Sequence, residues 1–242
     1  MRIALLADLH GNLSALDAVL DDLAATGGAD VTLALGDLAM LGPQPAEAID
    51  RLRETGCLAI QGNTDTWYNH TLPEDAVGRD EREAGIIRYA RWAKPLLGED
   101  RIRYLLGLPF SWQADLGGGE SLLAVHGSPR RIDEPIFPEA QPDILDEVLF
   151  GLSASVLAFG HTHRALVRRH NGIMLVNPGT LGNPIPSDID ARAAYGLVAW
   201  ENGRLEVVLR RLAYDPSATL AAAVDRQMPG QVGYVAKFRR TG

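Results

Sequence analysis

The chain has 242 residues, enough for one large domain with a real core, and its 46% hydrophobic and 22% charged residues are ordinary for a soluble globular protein. A formal net charge of −8 argues against tracking long DNA or RNA by charge alone, but not against a small anionic substrate, because bound cations can invert a local field. The single cysteine, Cys57, excludes an intrachain disulfide and a cysteine-rich zinc site; with no signal-like leader and no bilayer-length apolar run, the expected location is the cytoplasm, away from membranes.

Short apolar runs that share one grammar predict the strands. Ile3 to Ala7 ends at Asp8, Val31 to Leu35 at Gly36-Asp37, and Cys57 to Ile60 near Gly62-Asn63. Their lack of alternation predicts strands buried on both faces. Between the first two, a helix capped by Asn12 or Ser14 runs to about Ala25, with Leu13, Leu16, Val19, Leu20 and Leu23 on one face. A second helix starts near Pro45 and ends at Gly56. Strands alternating with helices imply parallel pairing, and in such sheets ligands gather at the carboxyl ends of the strands.

Residues Glu74 to Leu108 are charged and helical, and are expected to form an excursion that packs over the sheet. The later chain favours hairpins. Gly117-Gly118-Gly119 separates Ser111–Leu116 from Ser121–Val125, and Asn171-Gly172 and Asn202-Gly203 are two-residue turn signals. Val156 to Phe159 ends at Gly160-His161, Ile173 to Val176 at Asn177-Pro178-Gly179, and a long loop follows to Ala194. The tail Lys237-Phe238-Arg239-Arg240 is expected to be a solvated end. No linker interrupts residues 1–242, which reads as a single domain.

The polar residues at the strand ends are Asp8, His10, Asp37, Asn63, His126, His161 and His163. All are oxygen or nitrogen donors, a set suited to manganese first, with iron, zinc, cobalt, magnesium or nickel as alternatives. In Asp8-x-His10 and His161-x-His163, an extended segment points both side chains the same way. Seven ligands are too many for one transition ion and suit two divalent ions sharing a carboxylate, for which Asp37 is the choice. Two such ions clamp the attacking and leaving oxygens of a displacement and lower the pKa of bound water toward about 7. Each piece alone is weak, and the ordered set is the signal.

That ordered set, Asp8-Leu9-His10-Gly11-Asn12, Gly36-Asp37, Gly62-Asn63-Thr64-Asp65, His126-Gly127, Gly160-His161-Thr162-His163 and Asn177-Pro178-Gly179, resembles the motifs of the calcineurin-like metallophosphoesterases over roughly residues 1 to 215. The resemblance implies a four-layer α/β/β/α sandwich with two central mixed sheets and a dinuclear site at the strand C-terminal ends. It also implies one metal on Asp8, His10, Asp37 and His163, and the other on Asp37, Asn63, His126 and His161. Many members carry a histidine after the Gly-Asn pair, thought to protonate the leaving group; here that residue is Thr64. A hydroxyl donates a hydrogen bond but is no general acid near neutral pH, and losing such an acid costs about 10²–10⁴ for a poor leaving group. The change resembles the small bacterial and archaeal phosphodiesterases of this superfamily and argues against a protein Ser/Thr phosphatase.

The expected function is therefore a metal-dependent phosphodiesterase acting on a small or nucleotide-derived phosphoester through metal-generated hydroxide, with Asn63 and Thr64 at the reacting phosphate. A phosphomonoesterase and a non-catalytic metal-binding scaffold are the alternatives. Asn12 and Arg130 are candidate substrate contacts, read against a helix cap and a solvated arginine. His70 is a candidate replacement for the missing acid, read against a capping role, and His170 is expected to be exposed. The sequence is compatible with an oligomer.

Overall fold

The computed structural model describes residues 1–69, 75–185 and 191–238. Two five-stranded mixed sheets lie at its centre. The first contains β1 (Arg2–Leu6), β2 (Val31–Ala34), β3 (Leu58–Ala59), β9 (Ala193–Glu201) and β10 (Arg204–Leu212), in the order β10-β9-β1-β2-β3. The second contains β4 (Ser111–Gly117), β5 (Glu120–Val125), β6 (Val156–Ala158), β7 (Leu166–His170) and β8 (Ile173–Asn177), in the order β4-β5-β6-β8-β7. β1, β2 and β3 pair in parallel, as do β5, β6 and β8. The five turns that carry the expected ligands therefore leave strand ends that point the same way within each sheet.

The absence of alternation in the strands has a simple cause. In β1, Ile3 and Leu5 face the second sheet, where they meet Leu122, Ala124, Val156 and Ala158. Ala4 and Leu6 face outward onto α1 (Leu13–Ala25), α2 (Pro45–Glu54) and α3 (Glu81–Leu106). In β5, Leu123 and Val125 face outward toward α4 (Pro142–Val148). Each inner strand thus contributes apolar area to two cores, at roughly 25 cal/mol per Å². Helices outside, sheets inside: the expected α/β/β/α sandwich is what forms.

The Asn171-Gly172 and Asn202-Gly203 signals form the tight turns of β7–β8 and β9–β10, with both asparagines at positive φ. Asn12 caps α1 by accepting the N–H of Ala15 at 3.1 Å. α3 is capped by Asp80 and broken at Gly98, whose φ of 69° no helix accommodates.

The C-terminal region departs from expectation. After β10 the chain forms α5 (Ser217–Asp225) and α6 (Gln231–Phe238), and Ala223, Tyr234 and Phe238 pack into the α1 side of the core. Lys237 is no solvated end: its Nζ donates to Asn183 Oδ1 at 2.5 Å, and burial lowers its pKa. Few large side chains and a short α6 made this packing invisible to periodicity. Among the described residues, no helix is long and apolar enough to cross a membrane.

Candidate metal centre

All seven expected ligands lie on turns at one edge of the two sheets: Asp8 and His10 after β1, Asp37 after β2, Asn63 after β3, His126 after β5, and His161 and His163 after β6. Five of them hold the left-handed backbone conformation, with φ of 55° at Asp8, 49° at His10, 54° at Asp37, 66° at His161 and 59° at His163, so the two Asp-x-His and His-x-His pairs are not the extended segments expected from their spacing. That region is uncommon for residues with a side chain and costs of order 1–3 kcal/mol each, so the surroundings must enforce it.

The enforcement is visible. His10 N–H donates to the carbonyl of Asp37 at 2.9 Å and Gly11 N–H to that of Leu38 at 2.9 Å, which locks the β1 turn to the β2 turn. The buried Asp65 carboxylate accepts the N–H groups of Asp37, Leu38 and Gly62 at 3.0, 3.0 and 2.9 Å. Burial, reinforced by the Asp37 charge, pushes the Asp65 carboxyl up to about 7, while the bonds from Gly62 and Leu38 oppose this. The β2 and β3 turns touch backbone to backbone: a Cβ on Gly62 would lie 2.1 Å from the Asp37 nitrogen. On the second sheet, Asn177 Nδ2 donates to the Gly160 carbonyl at 2.8 Å, and His161 N–H reaches Asp8 Oδ2 at 3.1 Å.

The imidazoles are oriented by their far nitrogens. Nδ1 of His10, His126 and His163 bonds the carbonyls of Met40, Leu35 and Asn183 at 2.6, 2.7 and 2.7 Å. A carbonyl only accepts, so each Nδ1 carries a proton and each ring, when neutral, turns an Nε2 lone pair inward, as second-shell partners do in metal sites. These lone pairs face other acceptors. His163 Nε2 is 3.3 Å from Asp8 Oδ1, and His126 Nε2 is 3.4 Å from Asp37 Oδ1 and 2.9 Å from Asn63 Oδ1. His10 Nε2 is 3.7 Å from Asp37 Oδ2 and 3.1 Å from His163 Nε2. Only protons or metal cations among them make such a cluster favourable.

The donor atoms fall into two overlapping groups, Asp8–His10–His163 and Asp8–Asp37–His126. Asp37 turns one oxygen toward His10 and the other toward His126, as a shared carboxylate requires. Asn63 joins through His126, and the His161 ring stands beside His126 with centroids 5.2 Å apart. Burial would raise the Asp8 carboxyl, but His163, His126 and His10 draw it down to about 2. Burial lowers His10 to about 4 and also lowers His161. For His126 and His163 burial acts in the same direction, but the carboxylates outweigh it and both pKa values are raised.

The other candidates separate from this cluster. Asn12 is buried, and its Nδ2 bonds Gly182 O and Tyr214 Oη at 3.0 and 2.9 Å, so both ends of the amide are engaged and the cap reading describes it. Arg130 is turned away onto Glu134 and Glu147, at 2.5 and 2.9 Å. Thr64 holds the centre through its backbone, donating its N–H to Asp37 Oδ1 at 2.9 Å, while its buried hydroxyl has no partner among the described residues. His170 is mostly covered and pairs with Asp146 at 2.7 Å rather than standing exposed. His70 lies outside the described residues. Sequence reasoning missed the supporting roles of Asp65, Asn177 and Asn183; Asp65 and Asn177 stand inside recognised motifs, but nothing in a linear pattern marks a carboxylate that serves three backbone donors.

A cleft of about 800 Å³ opens on Asn63, His161 and Thr162 and runs to the start of α3. The excursion is therefore more than a packing layer, since its first turn walls the cleft.

A strand-edge cluster of histidines and carboxylates between two sheets is the arrangement of a phosphoesterase, and the comparisons agree. Residues 1–202 match the calcineurin-like phosphoesterase superfamily domain, and the chain belongs to that family. It is 26% identical to phosphodiesterase YfcE of Escherichia coli K12 over 86% of this chain and 91% of that one. A metallophosphoesterase from Sphaerobacter thermophilus is 27% identical with a TM-score of 0.75 and 98% of both chains covered. A protein of Pyrococcus horikoshii, PH1004, shares the fold with a TM-score of 0.82 at 22% identity, over 96% of this chain and 95% of that one.

Proposed function

We propose that the chain is a phosphodiesterase that works with two divalent metal ions held by Asp8, His10, Asp37, Asn63, His126, His161 and His163, manganese being the first candidate. The observation that carries this reading is the convergence of three Nδ1-anchored imidazoles, Nε2 inward, on the carboxylates of Asp8 and Asp37. Divalent ions bound there would supply hydroxide at neutral pH and neutralise charge on the phosphoryl oxygens.

The protein's own residues do the rest. The left-handed turns hold the donors before substrate arrives, so little reorganisation is left to the reaction. Asn63 and His161 reach both the donor cluster and the cleft, and are placed to meet the scissile phosphate. The nearest side chain at the position of the missing acid is a buried hydroxyl, which leaves no protonating group at Thr64. Esters with good leaving groups are therefore favoured over those that need protonation. The diester preference is supported by the named activity of the YfcE relative and by Thr64 in place of histidine.

Hydrolysis of bis(p-nitrophenyl) phosphate beside p-nitrophenyl phosphate, by stripped protein refilled with Mn²⁺, tests the reading. Faster diester turnover that is lost on stripping and in Asp37→Asn is expected. Preferential monoester turnover would make the protein a phosphomonoesterase, and metal binding without turnover of either ester would leave a scaffold.

A further inference from the structure

The walls of the cleft carry information that the metal floor does not. Its lining includes the carboxylates Asp80, Glu83 and Asp133, and each is already engaged. Asp80 caps α3 by accepting Glu83 N–H at 2.8 Å, Glu83 accepts from Arg79 Nε at 2.8 Å, and Asp133 pairs with Arg131 at 3.0 Å. Arg82, on the first turn of α3, lines the same cleft and has no ion pair or hydrogen bond among the described residues. Arg82 is thus the cation of the wall without a partner among the described residues, in an otherwise acidic chain, while the Asp80 carboxylate is turned to the α3 cap. Its planar fork matches a phosphate.

Apolar surface stands beside it. Trp67 is half-buried, Ile86 lies one helical turn after Arg82, and Phe137 is 44% exposed on the segment that follows His126. An exposed aromatic in a polar cleft next to reactive donors is a stacking surface for a flat ring. The volume falls within the range of pockets that hold ligands of nucleotide size.

We infer that the cleft takes a nucleotide carrying a second phosphate besides the one at the metal donors, with its base against Trp67 and Phe137 and the second phosphate on Arg82. This rests on the phosphodiesterase reading for the identity of the reacting group, but not for its test. Substrates of this class are diesters whose nucleoside bears a further terminal phosphate. Simple diesters such as bis(p-nitrophenyl) phosphate would leave Arg82 unused.

Equilibrium binding to the Mn²⁺-loaded full chain, followed by calorimetry, separates the two claims because it needs no turnover. The probes are thymidine 5′-monophosphate and thymidine 3′,5′-bisphosphate, which differ by one phosphate. The bisphosphate is expected to bind about tenfold more tightly, and Arg82→Gln to erase that advantage while leaving the monophosphate Kd in place. Phe137→Ala, at an exposed position where folding is not at stake, should weaken both nucleotides about threefold or more. Equal affinities in the unmodified chain, a preserved tenfold gap in Arg82→Gln, or no binding of either nucleotide at millimolar concentration would each overturn the inference. Failure to hydrolyse any diester would instead count against the phosphodiesterase reading, with the binding difference still readable.

Discussion

The floor and the wall of the cleft are built on opposite principles. The floor is backbone-determined: five donors sit in left-handed turns, locked by inter-turn N–H···O bonds and by the buried Asp65 carboxylate. The wall is side-chain-determined: Arg79–Glu83 and Arg131–Asp133 are exposed pairs on a turn, a helix start and a loop. A floor of that kind tolerates almost no change, because moving one turn moves its neighbour. A wall of exposed side chains can be altered residue by residue with little effect on folding, and that is where substrate preference can diverge while the chemistry is kept.

The largest expected effect breaks the floor without touching a donor. Asp65→Ala leaves three buried N–H groups without an acceptor, at about 1–3 kcal/mol each. Thermal unfolding should therefore fall by roughly 6–12 °C or more for a chain of this size. Metal affinity should fall with it, which dialysis against limiting Mn²⁺ would read. An unchanged melting temperature would mean that the floor is not held as described.

Next in size is the link between metal and protons. Burial acts to lower the pKa values of His126 and His163, but Asp37 and Asp8 outweigh it, and both are raised above the ordinary imidazole value. A raised pKa means that, without metal, these rings keep protons to a higher pH. A ligating Nε2 must lose its proton, so metal binding should release protons near neutral pH and weaken as pH falls through and below the imidazole range. Calorimetry in buffers of different ionisation enthalpy counts those protons. Affinity that is flat from pH 8 to 5.5 would contradict the assignment of these rings as ligands.

The remaining two effects are small, and their smallness is the test. Thr64→Ala keeps the backbone N–H on Asp37 and removes a hydroxyl without a partner, so aryl diester hydrolysis should change by less than about threefold. A loss of a hundredfold would mean that the hydroxyl acts on the leaving group. Arg130→Gln should leave both melting temperature and diester turnover within about twofold, because exposed ion pairs contribute little. A large rise in KM would return Arg130 to the substrate.

The same contrast explains what could be read from the amino-acid sequence. The position of the floor was legible because Asp8, His10, Asp37, His126, His161 and His163 each follow an apolar run with glycine nearby, and the turns bring them to one edge of the two sheets. The sandwich was legible for a related reason, since strands such as Ile3 to Ala7 are buried on both faces and two asparagine-glycine turns fix hairpins. The wall was not. Nothing in the spacing of Arg79, Arg82 and Phe137 shows that they share a cleft, because residues 79–86 and 132–137 meet only through the tertiary fold. Arg130 was misleading for a related reason: its partner Glu134 is local, but Glu147 comes to it only once α4 is placed. The docking of Lys237 onto Asn183 depends on two helices of nine and eight residues, too short for periodicity to mark them as part of the core.

The most direct measurement is the metal content of the purified chain after equilibration with Mn²⁺, determined by elemental analysis for the unmodified protein, Asp37→Asn and His163→Ala. Two ions per chain in the unmodified protein are predicted, with Asp37→Asn losing both and His163→Ala losing one. One ion or fewer in the unmodified chain, or full occupancy in Asp37→Asn, would contradict a two-metal centre bridged by Asp37.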